Sequence, residues 1–573
     1  MPEFGLTTIY ILTISKLVLL AYLIFLFLAW RYKYKPFIFL TATALAIIIF
    51  YFVLAYPLRQ FWWGTVGDEL LIAAYLTKAM SAHWWSDFYY TNLPNFYPPL
   101  YFWLTGLIAA PFVHNAIGAA KIGVIWTLII WFFGTYFYQA WFWKKIYKAD
   151  ENKITIINQP WFWFLVPTTY FLLLDFDTII FKPYETLAAL GCGLWLILLF
   201  QVLDQNHWPK KYYWWFGISG GLLFLLFYFW WLVMIPLFIF LIFKQTAKLR
   251  SFIRLSLLGI LILVFSLPYL LPLFWSYLKY GIENWQAKFF VVSDFFTYLP
   301  WGSSLIRNIF IFLSIVSLAL FYKQKVVKLS LWAILACYFY QAISLLSFLF
   351  FQNPIQAAKP FLFLGGIFIA ITLSYGLITF YQSIKIERWR SIFILILSLL
   401  ALSQLPMIKF IDDPVVLRQI EIDLKPSQAI EEVSRLIKDK VPDYEKRTWF
   451  YSGEARFNAY LPLSYYLAHS PHFSHQAANY SKRLEFVTKM TEAEDSDTFT
   501  QLADQAPFQA IDTLLLYTQP SLAAENVYSI FLWSDNYPNG GKDFTIYLPA
   551  NLVSEKDWLL VAEKNNWKIF IRK

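Results

Sequence analysis

The chain has 573 residues, of which 59% are hydrophobic and only 14% are charged. Soluble domains carry roughly 25% charged residues, so this composition excludes an ordinary water-soluble protein. The formal net charge of +10 does not indicate a nucleic-acid partner, because Lys and Arg collect in short loops and form no basic stripe. The two cysteines, Cys192 and Cys337, lie in apolar segments and predict neither a metal site nor a disulfide.

Apolar segments of transmembrane length dominate the first 409 residues. A run of about 20 apolar residues can cross a bilayer as a helix, so we predict a polytopic α-helical membrane domain over residues 1–409, with about 11 to 13 transmembrane helices. The N-terminal segment has neither a basic region before it nor a small-residue cleavage site, which is typical of a retained span. The candidates are residues 6–30, 36–57, 99–113, 121–142, 160–181, 184–203, 213–229, 230–243, 255–276, 305–322, 329–351, 360–381 and 391–408.

Basic loops predict the orientation of these spans, because Lys and Arg favour the cytoplasmic side. With these loops inside, the long loop 58–98 and everything after residue 409 are extracytoplasmic, which we expect at a bacterial inner membrane. Thirteen crossings would put these two parts on opposite sides, so one segment is expected not to cross. The basic loops lie around Lys35, Lys211, Arg250, Lys325 and Arg388.

After residue 409 the composition becomes mixed in charge, and residues 410–573 predict a small extracytoplasmic α/β domain. Helical patterns occur near 425–440 and 478–493. A turn is indicated at Asn539-Gly540-Gly541. The predicted strands are residues 447–451, 512–517, 543–548 and 567–572.

The loop 58–98 is polar and aromatic, and it contains two adjacent acids, Asp68 and Glu69. A carboxylate at the boundary of water and membrane can take a proton from an attacking hydroxyl, so we predict that this pair is catalytic. The alternative for Asp68 is a structural N-cap of the helix that follows. On that helix Tyr75 and Lys78 lie on roughly one face. Lys78 could bind a lipid phosphate or simply extend to lipid headgroups.

The second half of the loop predicts contacts with a sugar. Its aromatic residues could stack on sugar rings or form the usual interfacial belt. The polar residues Asp87, Asn92 and Asn95 are not needed for such a belt, and with Tyr97 they are candidates for substrate binding.

Ionisable residues at the outer ends of later spans are the next candidates, because such groups are costly at membrane depth unless paired or functional. Lys182 and Lys359 are suited to a lipid-borne phosphate, with Glu185 orienting Lys182 or a sugar hydroxyl. The alternatives are ion pairs that only stabilise a helical hairpin, Asp177 with Lys182 or Lys182 with Glu185, and a plain membrane anchor for Lys359.

Three of the six histidines, His469, His472 and His475, lie within seven residues. Their spacing does not predict a zinc site, so we consider His469 a candidate for acceptor contact and a surface loop the alternative. A divalent cation held by oxygens of Asp68, Glu69 and Asp87 stays open. No other cofactor is indicated.

The run GDELLIAAYLTKAMSAHWWSDFYYTNLPNFYPPLYFWL resembles the first external loop of the galactan arabinofuranosyltransferases, a family of multi-span enzymes with GT-C architecture. The segment YYLAHSPHFSHQAANYSKRLEF (465–486) is similar to part of that family's external C-terminal region. The resemblance covers these two blocks and the plan of spans followed by an outer domain.

This resemblance implies an inverting glycosyltransferase that uses a polyprenyl-phosphate pentofuranose, with arabinofuranose as the expected sugar and a cell-envelope glycan as acceptor. The acid of the Gly-Asp motif, here Asp68, would be the general base. Two other classes remain as alternatives from the sequence. One is a transporter or flippase for a lipid-linked intermediate, although no inverted repeat is evident. The other is a non-catalytic glycan-binding assembly protein.

Overall fold

The computed structural model describes residues 5–32, 34–61, 68–142, 156–203, 205, 207–244, 248–283, 304–351, 359–535 and 541–573. A bundle of apolar helices is followed by a small domain built on a β-sheet. The predicted fold class, a polytopic α-helical membrane protein with a C-terminal α/β domain, is confirmed.

Each of the thirteen predicted apolar segments falls on a helix of the bundle. Seven helices in the described part of the chain are long and apolar enough to cross a membrane: Leu6–Arg31, Pro36–Ala55, Ala116–Trp141, Pro183–Leu203, Lys248–Tyr280, Lys325–Phe351 and Phe361–Ser383. The bundle comprises α1 (Leu6–Arg31), α2 (Pro36–Ala55), α3 (Asp68–Met80), α4 (Leu100–Ala109), α5 (Ala116–Trp141), α6 (Pro160–Leu173), α7 (Phe176–Phe181), α8 (Pro183–Leu203), α9 (Lys210–Leu226), α10 (Phe229–Lys244), α11 (Lys248–Tyr280), α12 (Leu305–Phe321), α13 (Lys325–Phe351), α14 (Phe361–Ser383) and α15 (Glu387–Ser403).

Helices α8 and α14 form the centre of the bundle, and both are apolar on every side, as expected for a helix surrounded by other helices. Helix α14 begins with a π-helical turn at Phe361–Gly365. The side chain of Tyr170 on α6 donates to the Phe363 carbonyl in this turn at 2.9 Å. Helix α1, by contrast, lies at the edge and exposes most of its apolar side chains, which would face lipid.

Helix α4 is too short to cross a membrane by itself. Its ten residues rise about 15 Å, half of the roughly 30 Å hydrocarbon core. Lys121, in the second turn of α5, donates from Nζ to the Leu58 carbonyl just after α2, at 2.6 Å. The chain therefore begins α5 at the end of the bundle where α2 finished. If the other twelve apolar segments cross, loop 58–98 and the C-terminal domain lie at the same end of the bundle.

Contacts at the two ends of the bundle agree with this alternation. At one end, Arg254 of α11 donates to the Leu203 carbonyl at the last residue of α8, at 2.9 Å. At the other end, the loop meets the C-terminal domain, where the Tyr465 amide donates to the Tyr89 carbonyl at 2.7 Å.

The C-terminal domain contains a seven-stranded mixed sheet with β1 parallel to β2 and β3, and β3 antiparallel to β4 and β7. The two further pairs, β4 with β5 and β6 with β7, are also antiparallel. Its elements are α16 (Pro414–Asp423), α17 (Gln428–Lys440), β1 (Thr448–Tyr451), β2 (Ser464–Tyr465), α18 (Tyr480–Thr491), α19 (Ser496–Asp504), β3 (Thr513–Tyr517), β4 (Val527–Asp535), β5 (Gly541–Pro549), β6 (Trp558–Lys564) and β7 (Trp567–Arg572).

All four predicted strands and both predicted helices of this domain are confirmed, as β1, β3, β5, β7, α17 and α18. Three strands and two helices were missed. β2 has only two residues, and β6 is largely solvent-exposed, so neither shows a clear alternating pattern. Asn565 and Asn566, both with positive φ, form the tight turn between β6 and β7. The predicted turn at Asn539 and Gly540 lies outside the described residues.

Candidate active site

The acid pair begins helix α3, a short helix of the loop that packs against α4, α5 and the Ala455–Ala459 turn of the C-terminal domain. Asp68 is the first helical residue, and its side chain lies outside the described part of the structure. Glu69 is buried, with 5% of its surface exposed. Acids in the first turn of a helix are favoured by its dipole, so this position suits both a structural and a chemical role.

A chain of aromatic contacts leads from α3 toward the centre of the bundle. The Tyr97 amide donates to the hydroxyl of Tyr75 at 3.2 Å. The ring of Tyr97 lies 5.7 Å from that of Tyr184 and 6.2 Å from that of Phe227. Tyr75 stacks on Phe102 with centroids 4.7 Å apart. Two residues predicted to bind sugar, Tyr75 on α3 and Tyr97, therefore connect α3 with the first turn of α8.

The first turn of α8 holds a buried ion pair between Glu185 and Lys359. Lys359 Nζ lies 2.5 Å from Glu185 Oε1, and the two side chains are 12% and 1% exposed. Glu185 Oε2 accepts no hydrogen bond from the described residues. Glu185 thus pairs with Lys359, which is 174 positions away in the sequence. The alternative predicted from the sequence, an ion pair of Glu185 with Lys182, is wrong. The ammonium of Lys359 also lies 5.3 Å from the centre of the Phe227 ring. Phe227 is the residue at the inner end of the chain of aromatic contacts.

Lys182 and Asn92 occupy different surroundings. Lys182 is half-buried at the end of α7, three residues before Glu185, and its carbonyl caps α8 by accepting from Thr186. Asn92 is exposed on the loop surface. The structure thus brings Lys182, Glu185 and Lys359 toward one end of the bundle, where Glu185 and Lys359 are paired.

Three other predicted site residues lie between the loop and the C-terminal domain. Lys78 is 2% exposed and donates to the Pro462 carbonyl and to Ser464 Oγ, both at 2.9 Å. Asp87 is fully buried, and the Nδ1 atom of His469 is 2.8 Å from the hydroxyl of Tyr89. Substrate contact by Lys78, Asp87 or His469 would require this junction to open, so that role stays a prediction.

Burial dominates the electrostatics of this junction. It raises the pKa of Asp87 to about 7, against hydrogen bonds from the Tyr89 and Tyr90 amides and the attraction of Lys78. It lowers the pKa of Lys78 to about 8, against the attraction of Asp87. Burial also lowers the pKa of His469 to about 4, so this imidazole is neutral at physiological pH.

The histidine segment is not a simple surface loop. His475 is buried, and its Nδ1 accepts from the Ala477 amide at 2.9 Å, so the surface-loop alternative is wrong for this residue. Within the described residues, no group of three or more His, Cys, Asp or Glu side chains is arranged to hold a metal ion. The cation considered for Asp68, Glu69 and Asp87 stays a prediction, because the first of these side chains lies outside the described part.

Two small cavities flank the candidate site. One, of about 10 Å³, is lined by Tyr75, Lys78 and Asn95 among others. The other, of about 20 Å³, lies beside α6, α12 and α14, with Arg307 among its lining residues. Each has room for about one water molecule, so neither cavity by itself holds a sugar or a lipid chain.

Comparison with known proteins identifies the C-terminal region. Residues 421–563 match the family described as "Arabinofuranosyltransferase A C terminal". The match agrees with the resemblance to the arabinofuranosyltransferases, and it lies within the C-terminal region of the chain.

The solved structures include one of similar extent, the apo crystal structure of ArnT from Cupriavidus metallidurans. It covers 90% of this chain and 98% of its own, at 11% identity and a TM-score of 0.47. At that level the likeness does not extend to function. Among curated proteins, no sequence matches the chain.

The sequence did not reveal the contacts that the turn Asp87–Tyr90 makes with the C-terminal domain. The Oδ1 atom of Asp87 accepts from the Tyr89 and Tyr90 amides at 2.9 and 3.0 Å. This is a local turn that Asp commonly forms with the backbone two residues on. An Asp followed by consecutive aromatic residues could have indicated such a turn, but not the partner of the aromatic side chains.

Proposed function

We propose that this protein transfers arabinofuranose from a polyprenyl-phosphate donor to a cell-envelope glycan, with Asp68 as the general base and Glu69 beside it. The observation that carries the proposal is that a domain of the arabinofuranosyltransferase A C-terminal family packs directly on the loop whose helix α3 begins with these acids. The proposed setting is a bacterial inner membrane, with this loop and the domain on the extracytoplasmic side.

The reaction is a single displacement. An acceptor hydroxyl attacks the anomeric carbon, the bond from that carbon to the phosphate oxygen breaks, and polyprenyl phosphate leaves. Asp68 takes the hydroxyl proton, and one displacement inverts the anomeric configuration. No nucleotide sugar takes part, because the donor arrives through the membrane.

The leaving phosphate needs positive charge beside it. Lys359 and Lys182 supply that charge in this proposal, and Glu185 holds the ammonium of Lys359 in place. Tyr75 on α3 and Tyr97 beside it connect the acid-bearing helix with these groups, and the sugar would bind there. Asn92, Asp87, His469 and Lys78 would contact substrate only in a more open arrangement of the loop.

The test is sugar transfer by the purified protein in lipid nanodiscs, with polyprenyl-phosphoryl arabinofuranose as donor and a galactan oligosaccharide as acceptor. We expect wild-type transfer with an inverted product and a rate about 10²- to 10⁴-fold lower for Asp68→Asn, the usual contribution of a general base. Measuring transfer with and without EDTA tests whether the reaction needs a divalent cation.

Each result has a clear meaning. A folded Asp68→Asn variant with full activity would remove Asp68 from the mechanism. Wild-type protein that transfers no sugar from this donor would overturn the proposed reaction, and lipid translocation without transfer would support the transporter alternative. If only the C-terminal domain affected glycan binding, the assembly-protein alternative would gain support.

A further inference from the structure

Helix α3 has the proposed catalytic acids at its first turn and Lys78 at its last. A helix rises 1.5 Å per residue, so Asp68 and Lys78 are about 15 Å apart along the axis. Lys78 donates to Pro462 and Ser464 of the C-terminal domain. The helix is therefore fastened to that domain at the end opposite the acids.

The turn Asp87–Tyr90 is a second attachment of the loop to the same domain. Asp87 closes the turn through its two backbone hydrogen bonds. The Phe88 carbonyl accepts from Asn458 Nδ2 at 3.1 Å. With the Tyr465 amide on the Tyr89 carbonyl, two successive carbonyls of the loop are held by the C-terminal domain.

The tyrosine side chains of this turn extend into the domain. The hydroxyl of Tyr90 is 2.9 Å from Ser474 Oγ and accepts from the Ala468 amide at 3.1 Å. The guanidinium of Arg483 lies 4.8 Å from the centre of the Tyr90 ring, close enough for a cation–π interaction. Separating loop and domain would break these hydrogen bonds and the cation–π contact, which opposes opening.

We call Lys78, the turn Asp87–Tyr90 and their partners between residues 458 and 474 the latch. We propose that the latch lets the C-terminal domain position α3, with Lys78 as the positioning residue that acts through this helix on Asp68. Its catalytic consequence rests on the proposed function. The domain then has a second role, besides any contact with glycan, because its displacement would release α3 and move the acids.

A positioning role and a phosphate contact predict different kinetics for Lys78. If the ammonium bound the donor phosphate, its loss would raise the KM for the donor. If it holds α3, its loss displaces the general base and lowers kcat, because small errors in the placement of reacting groups are costly. The buried hydrogen bonds of Lys78 to Pro462 and Ser464 favour the second outcome.

The experiment compares full-length wild type, Lys78→Met and Ser464→Ala in nanodiscs. Met keeps the length of the Lys stem, and Ser464→Ala removes one acceptor while Pro462 remains. Lys446→Met, at an exposed site of the C-terminal domain, is the matched control. Each protein is assayed for transfer and for amide hydrogen exchange in α3, with β3 and β7 as internal references.

We expect Lys78→Met to lower kcat by about 10- to 100-fold with the donor KM unchanged, and Ser464→Ala to lower it less. Amides of α3 should exchange faster in both variants, while β3 and β7 keep their protection. The control should match wild type in both measurements.

Two results would overturn the latch: unchanged α3 protection together with unchanged kcat, or a raised donor KM at constant kcat. If Lys78→Met does not fold, Ser464→Ala decides by the same two measurements. An inactive wild type would count against the proposed function alone, because the exchange measurement still tests whether the domain holds α3.

Discussion

Asp87 is a carboxyl group inside the protein whose two oxygens differ in surroundings. Oδ1 accepts two backbone hydrogen bonds, whereas Oδ2 accepts none from the described residues. Burial raises its pKa to about 7. The folded protein therefore binds this proton more tightly than the unfolded chain, in which an Asp titrates near pH 3.9.

This shift predicts a pH-dependent stability. The contribution of Asp87 is fully present below about pH 4, the unfolded value, and is lost as pH rises through about 7, its folded value. Asp87→Asn does not titrate and its amide oxygen can still accept the two backbone hydrogen bonds. We expect the melting temperature of the variant, relative to wild type, to rise between pH 5 and pH 8.

Melting curves in detergent at a series of pH values check this. Asp439→Asn, at an exposed position of α17, is the control for the loss of one surface carboxylate. A constant difference between Asp87→Asn and wild type across the range would contradict a raised pKa in the folded state.

At the scale of elements, helix α4 decides the topology. Hydropathy counts it with the membrane-spanning candidates, because its ten residues are apolar. By its length α4 spans only about half of the hydrocarbon core. The hydrogen bond from Lys121 Nζ to the Leu58 carbonyl shows that α5 begins at the end of the bundle where α2 ends. A short apolar helix beside the loop thus supports α3 without changing sides.

Cysteine labelling tests this topology. Phe112, between α4 and α5, and Tyr322, between α12 and α13, are both exposed. We expect Phe112→Cys to react with a membrane-impermeant maleimide from the same side as Asn92→Cys, and Tyr322→Cys from the opposite side. The native cysteines are buried, so their background should be low. Labelling of Phe112→Cys from the side of Tyr322→Cys would show that α4 crosses.

At the scale of the whole molecule, bundle and C-terminal domain are joined by a buried polar interface. Arg483 lies at its centre, where Nε donates to the Ala478 carbonyl and Nη1 to the Tyr466 carbonyl, both at 2.7 Å. Its guanidinium also packs 4.7 Å from the ring of Phe508. One side chain therefore supports both the domain and the surface that receives Tyr90.

Arg483→Met should destabilise the whole protein. Met keeps part of the apolar stem but leaves two buried carbonyls without donors, at a cost of about 1–3 kcal/mol each, and removes the cation–π contacts. We expect a lower melting temperature and faster proteolysis of the loop. Lys482→Met, the exposed neighbour on α18, should behave as wild type. Equal melting temperatures for both variants would contradict the importance of this interface.

The sequence by itself determined the membrane bundle, the α/β domain and the resemblance carried by the Gly-Asp loop. These properties are local: apolar length, basic loops and alternating strand patterns are all read within a few tens of residues. The same signals identified Glu185 and Lys359 as ionisable groups at the outer ends of spans.

Only the tertiary structure decided which of these residues meet. It paired Glu185 with Lys359 across 174 positions, and it buried Lys78 against Ser464. No local pattern contains such partners, because they are set by how helices and domain pack after the chain has folded. The free energy of burying a charged side chain depends on those neighbours. The packing of the chain, and not the residue type, therefore decides whether a lysine ammonium is buried and what it binds.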